Sequence, residues 1–354
     1  MQIKQPRWDK FSDLKSGLKF ARQVGFPVLA RPSYVLSGSN MKIVHSVEEL
    51  TSYAQTSLRI SKDYPITISK FIENAKEIEV DCVAEKGEIK AFIVSEHVEN
   101  AGVHSGDATI IFPPQKLYIE TLRRLQKLAK NIAKALKITG PFNIQCLALD
   151  NEIYVIELNL RASRTFPFIS KVTGVDFIKL SVDSFFNKNT QPASINFSSF
   201  DFVAAKVAQF SFARLSGADP VLDVEMTSTG EVACFGDTEE EAFLKAELSV
   251  GGKIPKKGIF LSLGGELNKL DFLESAHRLL KLHLPVYSTE KTGEFLNKNG
   301  IKARKLFKIH EGKSPNILQI FRNREVDLAI NIVDRNVKKE INDDMRKVKK
   351  LLSS

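Results

Sequence analysis

Apolar residues recur every three to four positions in three stretches of this chain and alternate with polar residues in several others. The helical spacing predicts helices over residues 12–24, 47–58 and 115–136. Ser12 and Ser46 stand where N-caps are expected, and Gly25 with Pro27 ends the first helix. Short apolar or alternating runs predict strands over residues 28–30, 66–72, 77–85, 88–95, 143–149 and 152–158. Strands in the middle with helices outside them predict an α+β or mixed α/β domain.

A composition break at residues 251–258, rich in glycine, lysine and proline, divides the chain. After it, strands and helices alternate over residues 259–263, 269–282, 286–288, 291–299 and 328–333. This alternation predicts a small parallel sheet with helices on both faces, which is a three-layer α/β domain. We therefore expect a first domain over 1–200, its end and a connection over 201–255, and a second domain over 256–354.

Composition argues against a membrane protein, a disulfide-rich protein and a nucleic-acid-binding protein. Hydrophobic residues make up 43% and charged residues 26% of the 354, and no apolar run reaches the ~18 residues of a membrane span, so we expect a globular protein without a membrane partner. The widely spaced Cys82, Cys146 and Cys234 predict neither a zinc pair nor a disulfide framework, which indicates the cytoplasm or the mitochondrial matrix. The net charge of +9 comes from dispersed lysines without a nucleic-acid-binding motif, so we expect no nucleic-acid partner.

The most informative polar residues follow the predicted strand at 152–158. The chain contains no glycine-rich phosphate loop of the two common kinds, so a nucleotide site has to be built another way. Strand alternation places Glu157, Asn159 and Arg161 on one face, and Gln145 lies on the neighbouring strand. Their oxygens suit Mg²⁺, and Arg161 with Arg164 can neutralise a transferring phosphate. A salt-bridge network on a sheet surface explains the same residues equally well.

A second group of chemically active residues lies at positions 96–107, directly after a predicted strand. Its glycines allow a ligand to approach the backbone, and His104 can donate a hydrogen bond to an anionic intermediate. Arg31 ends another strand before a loop of small residues and is a candidate phosphate contact. A structural role for the histidine and an ordinary hairpin for the loop remain open.

Taken together, these segments resemble one family, the large subunit of carbamoyl-phosphate synthetase, in its second ATP-grasp unit. The resemblance rests on Ala30–Gly38, on Glu96–Asp107 with the sequence EHVENAGVHSGD, on Glu157–Arg164, and on Gly217–Asp219 with Glu225–Val232. It covers nearly the whole chain and implies an ATP-grasp domain without its N-terminal subdomain. The implied activity is phosphorylation of carbamate, derived from bicarbonate, by a second ATP.

The resemblance also assigns roles by position. It implies that Gln145, Glu157 and Asn159 hold Mg²⁺ or Mn²⁺. It implies that Arg31, Arg161 and Arg164 contact phosphate and substrate and that Glu77 binds the ribose of ATP. The loop that lines the nucleotide and carbamate site is then made of Gly102, Val103, His104 and Ser105.

The tail from residue 256 resembles the methylglyoxal-synthase-like allosteric domain of that family, shortened at its C-terminus. The resemblance implies an effector, N-acetylglutamate or a nucleotide, bound by Thr289 and Thr292, with weaker matches at Lys269, Lys308 and Asn331. The run T-E-x-T followed by Phe295 is closer to ammonia-dependent members. Implied partners are the remaining half of the large subunit and a glutamine amidotransferase.

Three functions compete on this sequence. The first is a carbamate-phosphorylating enzyme in pyrimidine, arginine or urea synthesis. The second is another ATP-grasp carboxylate-amine ligase, which the A-G-V-H-S-G-D run and the appended second domain argue against. The third is a module that binds nucleotide and effector without catalysis.

Overall fold

The computed structural model describes residues 3–32, 40–60, 65–186, 190–211, 224 and 226–333, with backbone alone at 57–60. These residues form two compact units, one ending at 252 and one beginning at 253. Among the described helices, none is long and apolar enough to cross a membrane.

The first unit begins with a four-stranded antiparallel sheet in the order β1-β4-β2-β3. Its core is formed by apolar residues of the strands and of two helices. The elements are β1 (Trp8–Phe11), α1 (Leu14–Val24), β2 (Val28–Pro32), β3 (Lys42–Val44), α2 (Val47–Ile60) and β4 (Ile66–Lys70).

The predicted N-cap of α1 is wrong by one residue. Asp13, not Ser12, is the N-cap, because its side-chain oxygen accepts a hydrogen bond from the Ser16 backbone N–H at 2.8 Å. Ser46 caps α2 as predicted, since its hydroxyl accepts from the Glu49 N–H at 3.2 Å. Gly25 ends α1 with a positive φ of 78°, also as predicted.

The centre of the first unit is a seven-stranded antiparallel sheet in the order β11-β10-β7-β6-β5-β8-β9. Its strands are β5 (Lys76–Glu85), β6 (Glu88–Asn100), β7 (Ile110–Phe112), β8 (Gly140–Leu149), β9 (Glu152–Asn159), β10 (Val203–Gln209) and β11 (Gly230–Gly236). Four helices accompany it: α3 (Ile119–Leu136), α4 (Phe166–Thr173), α5 (Phe177–Phe185) and α6 (Glu239–Ser249). Of these eleven elements, the sequence predicted β5, β6, α3, β8 and β9, with ends shifted by a few residues.

Helices cover both faces of this sheet. On one face, apolar residues of β5, β6 and β8 pack against α3. On the other, residues of β5, β6 and β7 pack against α4 and α5. Helix α6 covers β10 near one edge. The central strand β5 is therefore buried from Glu77 to Glu85, and polar side chains there require partners inside the protein.

The second unit has a four-stranded parallel sheet in the order β14-β13-β12-β15. One face packs against α7 and α8 and the other against α9, which confirms the predicted three-layer α/β arrangement. The elements are β12 (Ile259–Leu263), α7 (Glu266–Leu279), β13 (Val286–Thr289), α8 (Glu290–Lys298), β14 (Ala303–Leu306), α9 (Ile317–Arg322) and β15 (Leu328–Ile332). The sequence did not predict β14 or α9. The basic residues after 334 lie outside the described part.

Candidate active site

The side chains assigned to a metal lie together on one face of β8 and β9. Gln145 is directly opposite Glu157, and Asn143 is directly opposite Asn159. Opposed residues of antiparallel strands project to the same face, so one carboxylate and several amide groups are neighbours. A β-bulge beside Gln145 places Ile156 as the extra residue of β9 and sets this register.

This donor set fits a divalent cation that completes its shell with phosphate oxygens. Within the described ranges, no three histidine, cysteine, aspartate or glutamate side chains could hold a metal by themselves. The Gln145 amide nitrogen donates to the Ser105 hydroxyl at 3.0 Å, which leaves the amide oxygen as the group available to a cation. The residues present therefore suit Mg²⁺ bound together with a nucleotide.

The loop at 101–107 lies against the metal residues through this Ser105 contact. Gly102 has a φ of 119°, and an added Cβ would lie 3.1 Å from Ile43 and 3.4 Å from Phe71, so only glycine fits. Val103 is half-buried in the same loop. The loop is thus held between the two sheets of the first unit.

His104 is held as a neutral donor. Its Nδ1 accepts a hydrogen bond from the Gly106 backbone N–H at 3.0 Å, so the ring proton belongs on Nε2. Burial lowers the pKa of His104, and the positive charge of Arg164 lowers it too. The negative charges of Asp107 and Glu157 oppose this shift but do not outweigh it. A neutral imidazole with a proton on Nε2 can donate to an anionic group without itself being a strong acid.

The two candidate arginines lie beyond the end of β9. The prediction that Arg161 shares a strand face with Glu157 and Asn159 is wrong, because β9 ends at Asn159 and the chain then turns towards α4. Arg161 is exposed and donates to the Ala162 carbonyl at 3.2 Å. Arg164 is exposed, and its Nη1 lies 3.1 Å from the Met226 sulfur.

Asp107, the last residue of the E-H-x-E-x-A-G-V-H-S-G-D run, anchors the segment that carries Met226. Its buried carboxylate accepts hydrogen bonds from Thr227 N at 2.8 Å, Thr227 Oγ1 at 3.2 Å and Ser228 N at 2.9 Å. Met226 therefore has a fixed place beside both Arg164 and the 101–107 loop. Glu225 and residues 217–219, which the resemblance also used, lie outside the described residues.

Glu77, the predicted ribose-binding acid, is almost completely buried on β5. Burial raises its pKa to about 7, although the charge of His97 opposes the shift. The Gly102 backbone N–H also opposes the rise in the pKa of Glu77.

Sequence reasoning missed a cluster of buried polar groups around Glu79. The Glu79 carboxylate lies 3.5 Å from His97 Nε2. Burial would raise the pKa of Glu79, but the His97 bond and charge and the charge of Lys206 hold it below its usual range. For the basic His97, burial acts in the opposite direction and lowers the pKa, but Glu79 and Glu77 outweigh burial and raise the pKa. The pair is therefore an ion pair inside the sheet.

The cluster continues through Asp81, which is 0% exposed. Its carboxylate accepts from Asn143 Nδ2 at 2.8 Å and from the Thr165 hydroxyl at 2.6 Å. Burial and then the charge of Glu79 raise the pKa of Asp81 to about 7, against the hydrogen bonds from Thr165 and Asn143. Acidic residues at every second position of a strand, in the run E-I-E-V-D, were the signal that could have revealed it.

Arg31 belongs to the other sheet of the first unit. It lies exposed near the end of β2, opposite Thr67, in the four-stranded sheet. The loop of small residues at 33–39 lies outside the described part of the chain.

In the second unit, the effector candidates gather at the carboxyl ends of the parallel strands. Thr289 ends β13, and Asn331 lies near the end of β15. Lys269 is buried in the first turns of α7, where its ammonium lies 2.6 Å from Glu266. Lys308 follows the end of β14. Ligands of open α/β sheets bind at this edge.

Thr292, the other threonine of the predicted effector pair, is bonded to the backbone of β12. It is fully buried, accepts a hydrogen bond from Leu263 N at 2.9 Å and lies 3.2 Å from Leu263 O. Thr289 donates to its hydroxyl at 3.1 Å. Thr292 therefore links β12 to α8 and holds Thr289 in place.

Two family models match parts of this chain. The family model described as "Carbamoyl-phosphate synthase L chain, ATP binding domain" matches residues 3–183, and the MGS-like domain model matches residues 271–352. The multifunctional protein URA2 of Saccharomyces cerevisiae is 49% identical over 94% of this chain, which covers 15% of that protein. The mitochondrial carbamoyl-phosphate synthase [ammonia] of Aquarana catesbeiana is 42% identical over 96% of this chain and 23% of that protein.

The chain therefore spans about a sixth to a quarter of the length of these relatives. Among solved structures, the biotin carboxylase–ATP analogue complex of Campylobacter jejuni superposes with a TM-score of 0.54. It is 16% identical, and the match covers 70% of this chain and 62% of that one. At this identity the likeness establishes the ATP-grasp fold alone.

Proposed function

This chain belongs to the carbamoyl-phosphate synthase family, and from that premise we propose that it phosphorylates carbamate with ATP to give carbamoyl phosphate and ADP. The observation that carries the proposal is the pairing of Gln145 with Glu157 across β8 and β9, under the Ser105 hydroxyl. It brings the metal candidates and the 101–107 loop to one place, as a site for a metal-bound nucleotide requires.

In the proposed reaction, a carbamate oxygen attacks the γ-phosphorus of ATP, and the bond from that phosphorus to the β,γ-bridging oxygen breaks. The carbamate is already an anion, so no general base has to remove a proton. Arg161 and Arg164 would neutralise the charge on the transferring group. His104, neutral and protonated on Nε2, can donate to a phosphate or carbamate oxygen.

Gln145, Glu157 and Asn159 would hold Mg²⁺, or Mn²⁺ in its place. A cation bound there would neutralise phosphate charge and orient the phosphate chain of ATP for in-line transfer. Glu77 would contact the ribose hydroxyls, and Gly102 would let the loop backbone approach the nucleotide.

The second unit would bind an anionic effector, N-acetylglutamate or a nucleotide, at the carboxyl edge of its sheet. Lysines at 269 and 308 supply positive charge there, and Thr289 is placed at the N-terminus of α8. In this proposal the remaining large-subunit half and a glutamine amidotransferase are partners. The free cysteines fit the cytoplasm or the mitochondrial matrix.

The reverse half-reaction tests the enzyme proposal directly. We expect the chain, mixed with Mg-ADP and carbamoyl phosphate, to form ATP, and we expect Glu157→Gln to lower the rate by on the order of 100-fold because a metal carboxylate is lost. Glu152→Gln is the matched control. It removes the same charge from the other end of β9, where Glu152 is half-exposed and pairs with Lys4.

Two results contradict the enzyme proposal. One is no ATP from a chain that binds Mg-ADP, which favours a nucleotide-binding module instead. The other is equal activity of Glu157→Gln and Glu152→Gln. For the effector site, we expect a rise in the melting temperature of the second unit with N-acetylglutamate or with UMP. A folded sample that responds to neither refutes the effector assignment.

A further inference from the structure

The segment from Arg161 to Thr165 carries both candidate arginines, yet their own side chains give it little support. Both guanidinium groups are exposed, and the segment is neither strand nor helix. An arginine can stabilise a transferring phosphoryl group only if its backbone has a fixed position. The contacts that fix this segment therefore bear directly on the proposed phosphoryl transfer.

Thr165 supplies the anchor. Its side chain is buried, and its hydroxyl lies 2.6 Å from Asp81 Oδ2 and 2.6 Å from Ser163 Oγ. An ionised Asp81 carboxylate only accepts, so Thr165 then donates to Asp81 and Ser163 donates to Thr165. The bonds run from Ser163 through Thr165 to the centre of the sheet.

Asp81 is a rigid end point for this chain of bonds. It lies on β5, two strands from β9, and Asn143 on the intervening β8 fixes its second oxygen at 2.8 Å. The arginine segment is thus tied to the most buried strand of the unit, not to the strand that it leaves.

Two features indicate that this bond serves more than helix stability. Thr165 is the N-cap residue of α4, but its hydroxyl makes no capping hydrogen bond, because it is bonded to Asp81 instead. A threonine N-cap is normally worth about 1 kcal/mol to a helix. Asp81 is also an ionisable group in a fully buried position, where an apolar residue would serve stability as well or better.

We propose that Thr165 is a positioning residue, whose bond to Asp81 sets Arg164 and Arg161 against the transferring phosphoryl group. The proposal rests on the proposed function. It predicts that loss of the hydroxyl impairs phosphoryl transfer and recognition of the terminal phosphate, while the rest of the nucleotide binds as before.

Three variants isolate the hydroxyl. Thr165→Val removes it at nearly constant volume, and Thr165→Ser keeps it. Thr173→Val is the matched control: it removes a threonine hydroxyl from the other end of α4, where Thr173 Oγ1 donates to the Ile169 carbonyl at 2.6 Å and accepts from the Val175 N–H at 3.2 Å. Each variant is compared with the unaltered chain in ATP formation from Mg-ADP and carbamoyl phosphate.

We expect Thr165→Val to lower kcat by about 10- to 100-fold, with KM for Mg-ADP within about twofold, as for a catalytic group displaced by roughly 1 Å. We expect Thr165→Ser and Thr173→Val to stay within about threefold of the unaltered chain. Equilibrium binding gives a second readout: Thr165→Val should lose the discrimination between Mg-AMPPNP and Mg-ADP, because the arginines contact the terminal phosphate.

Several outcomes overturn the proposal. They are an unchanged kcat and unchanged binding ratio in Thr165→Val, an equal loss in Thr165→Ser, or an equal loss in Thr173→Val. If Thr165→Val does not fold, Ser163→Ala takes its place as the test. A loss of kcat of more than about threefold then supports the proposal, and an unchanged kcat refutes it. An unaltered chain that neither forms ATP nor binds nucleotide refutes the proposed function, and the positioning role with it.

Discussion

Replacing Glu77 by glutamine should stabilise the first unit at neutral and alkaline pH. Burial raises the pKa of this carboxyl from 4.5 to about 7. An acid with a raised pKa in the folded state releases its proton more easily when the chain unfolds. Stability is therefore fully present below pH 4.5 and is lost as the pH rises towards 7.

The magnitude follows from the two pKa values. With 4.5 in the unfolded chain and about 7 in the folded one, ionisation of Glu77 costs about 0.8 kcal/mol at about pH 5 and about 3.3 kcal/mol at about pH 8. Glutamine has no such cost, because its amide does not ionise. The gain in the free energy of unfolding should therefore be larger at the higher pH by about 2.5 kcal/mol.

Urea denaturation of the unaltered chain and of Glu77→Gln at the two pH values measures this difference. The chain has one tryptophan, Trp8, and it lies in the first unit, so its fluorescence reports the relevant transition. Glu73→Gln is the control, because Glu73 is exposed just before the same strand. A gain that is equal at both pH values, or larger at the lower one, refutes the reasoning.

Two further substitutions test the bonds that hold the loops. Asp107→Ala leaves the backbone N–H groups of Thr227 and Ser228 without an acceptor and should cost about 2–4 kcal/mol in urea denaturation; a loss below about 0.5 kcal/mol contradicts this. Thr292→Val removes the acceptor of the buried Leu263 N–H and should lower the stability of the second unit by about 1–3 kcal/mol, measured by calorimetry. An unchanged melting temperature there refutes the bridging role of Thr292.

Local patterns predicted much of the fold. Alternation gave β5, β8 and β9, and the helical spacing gave α1, α2 and α3, because these signals depend only on neighbouring residues. Some of the missed elements, such as β7, β14 and α9, are only three to six residues long, too short for a period to show. The sequence also missed β10, β11, α4, α5 and α6, which are seven to eleven residues long. The N-cap of α1 was misplaced because Ser12 and Asp13 are both good caps and only the backbone geometry chooses between them.

The candidate site was likewise predicted from the sequence only in part. The sequence alone determined that Glu157 and Asn159 share a strand face, and its motif determined the family. Only the tertiary structure decided that Gln145 meets Ser105, that Arg161 lies beyond the strand, and that Thr165 reaches Asp81. These contacts join residues 40 and 84 positions apart in two of the cases, and strand pairing, not local sequence, brings them together. The register of β5, β8 and β9 carries that information, because it is set by the burial of whole faces in the packed sheet.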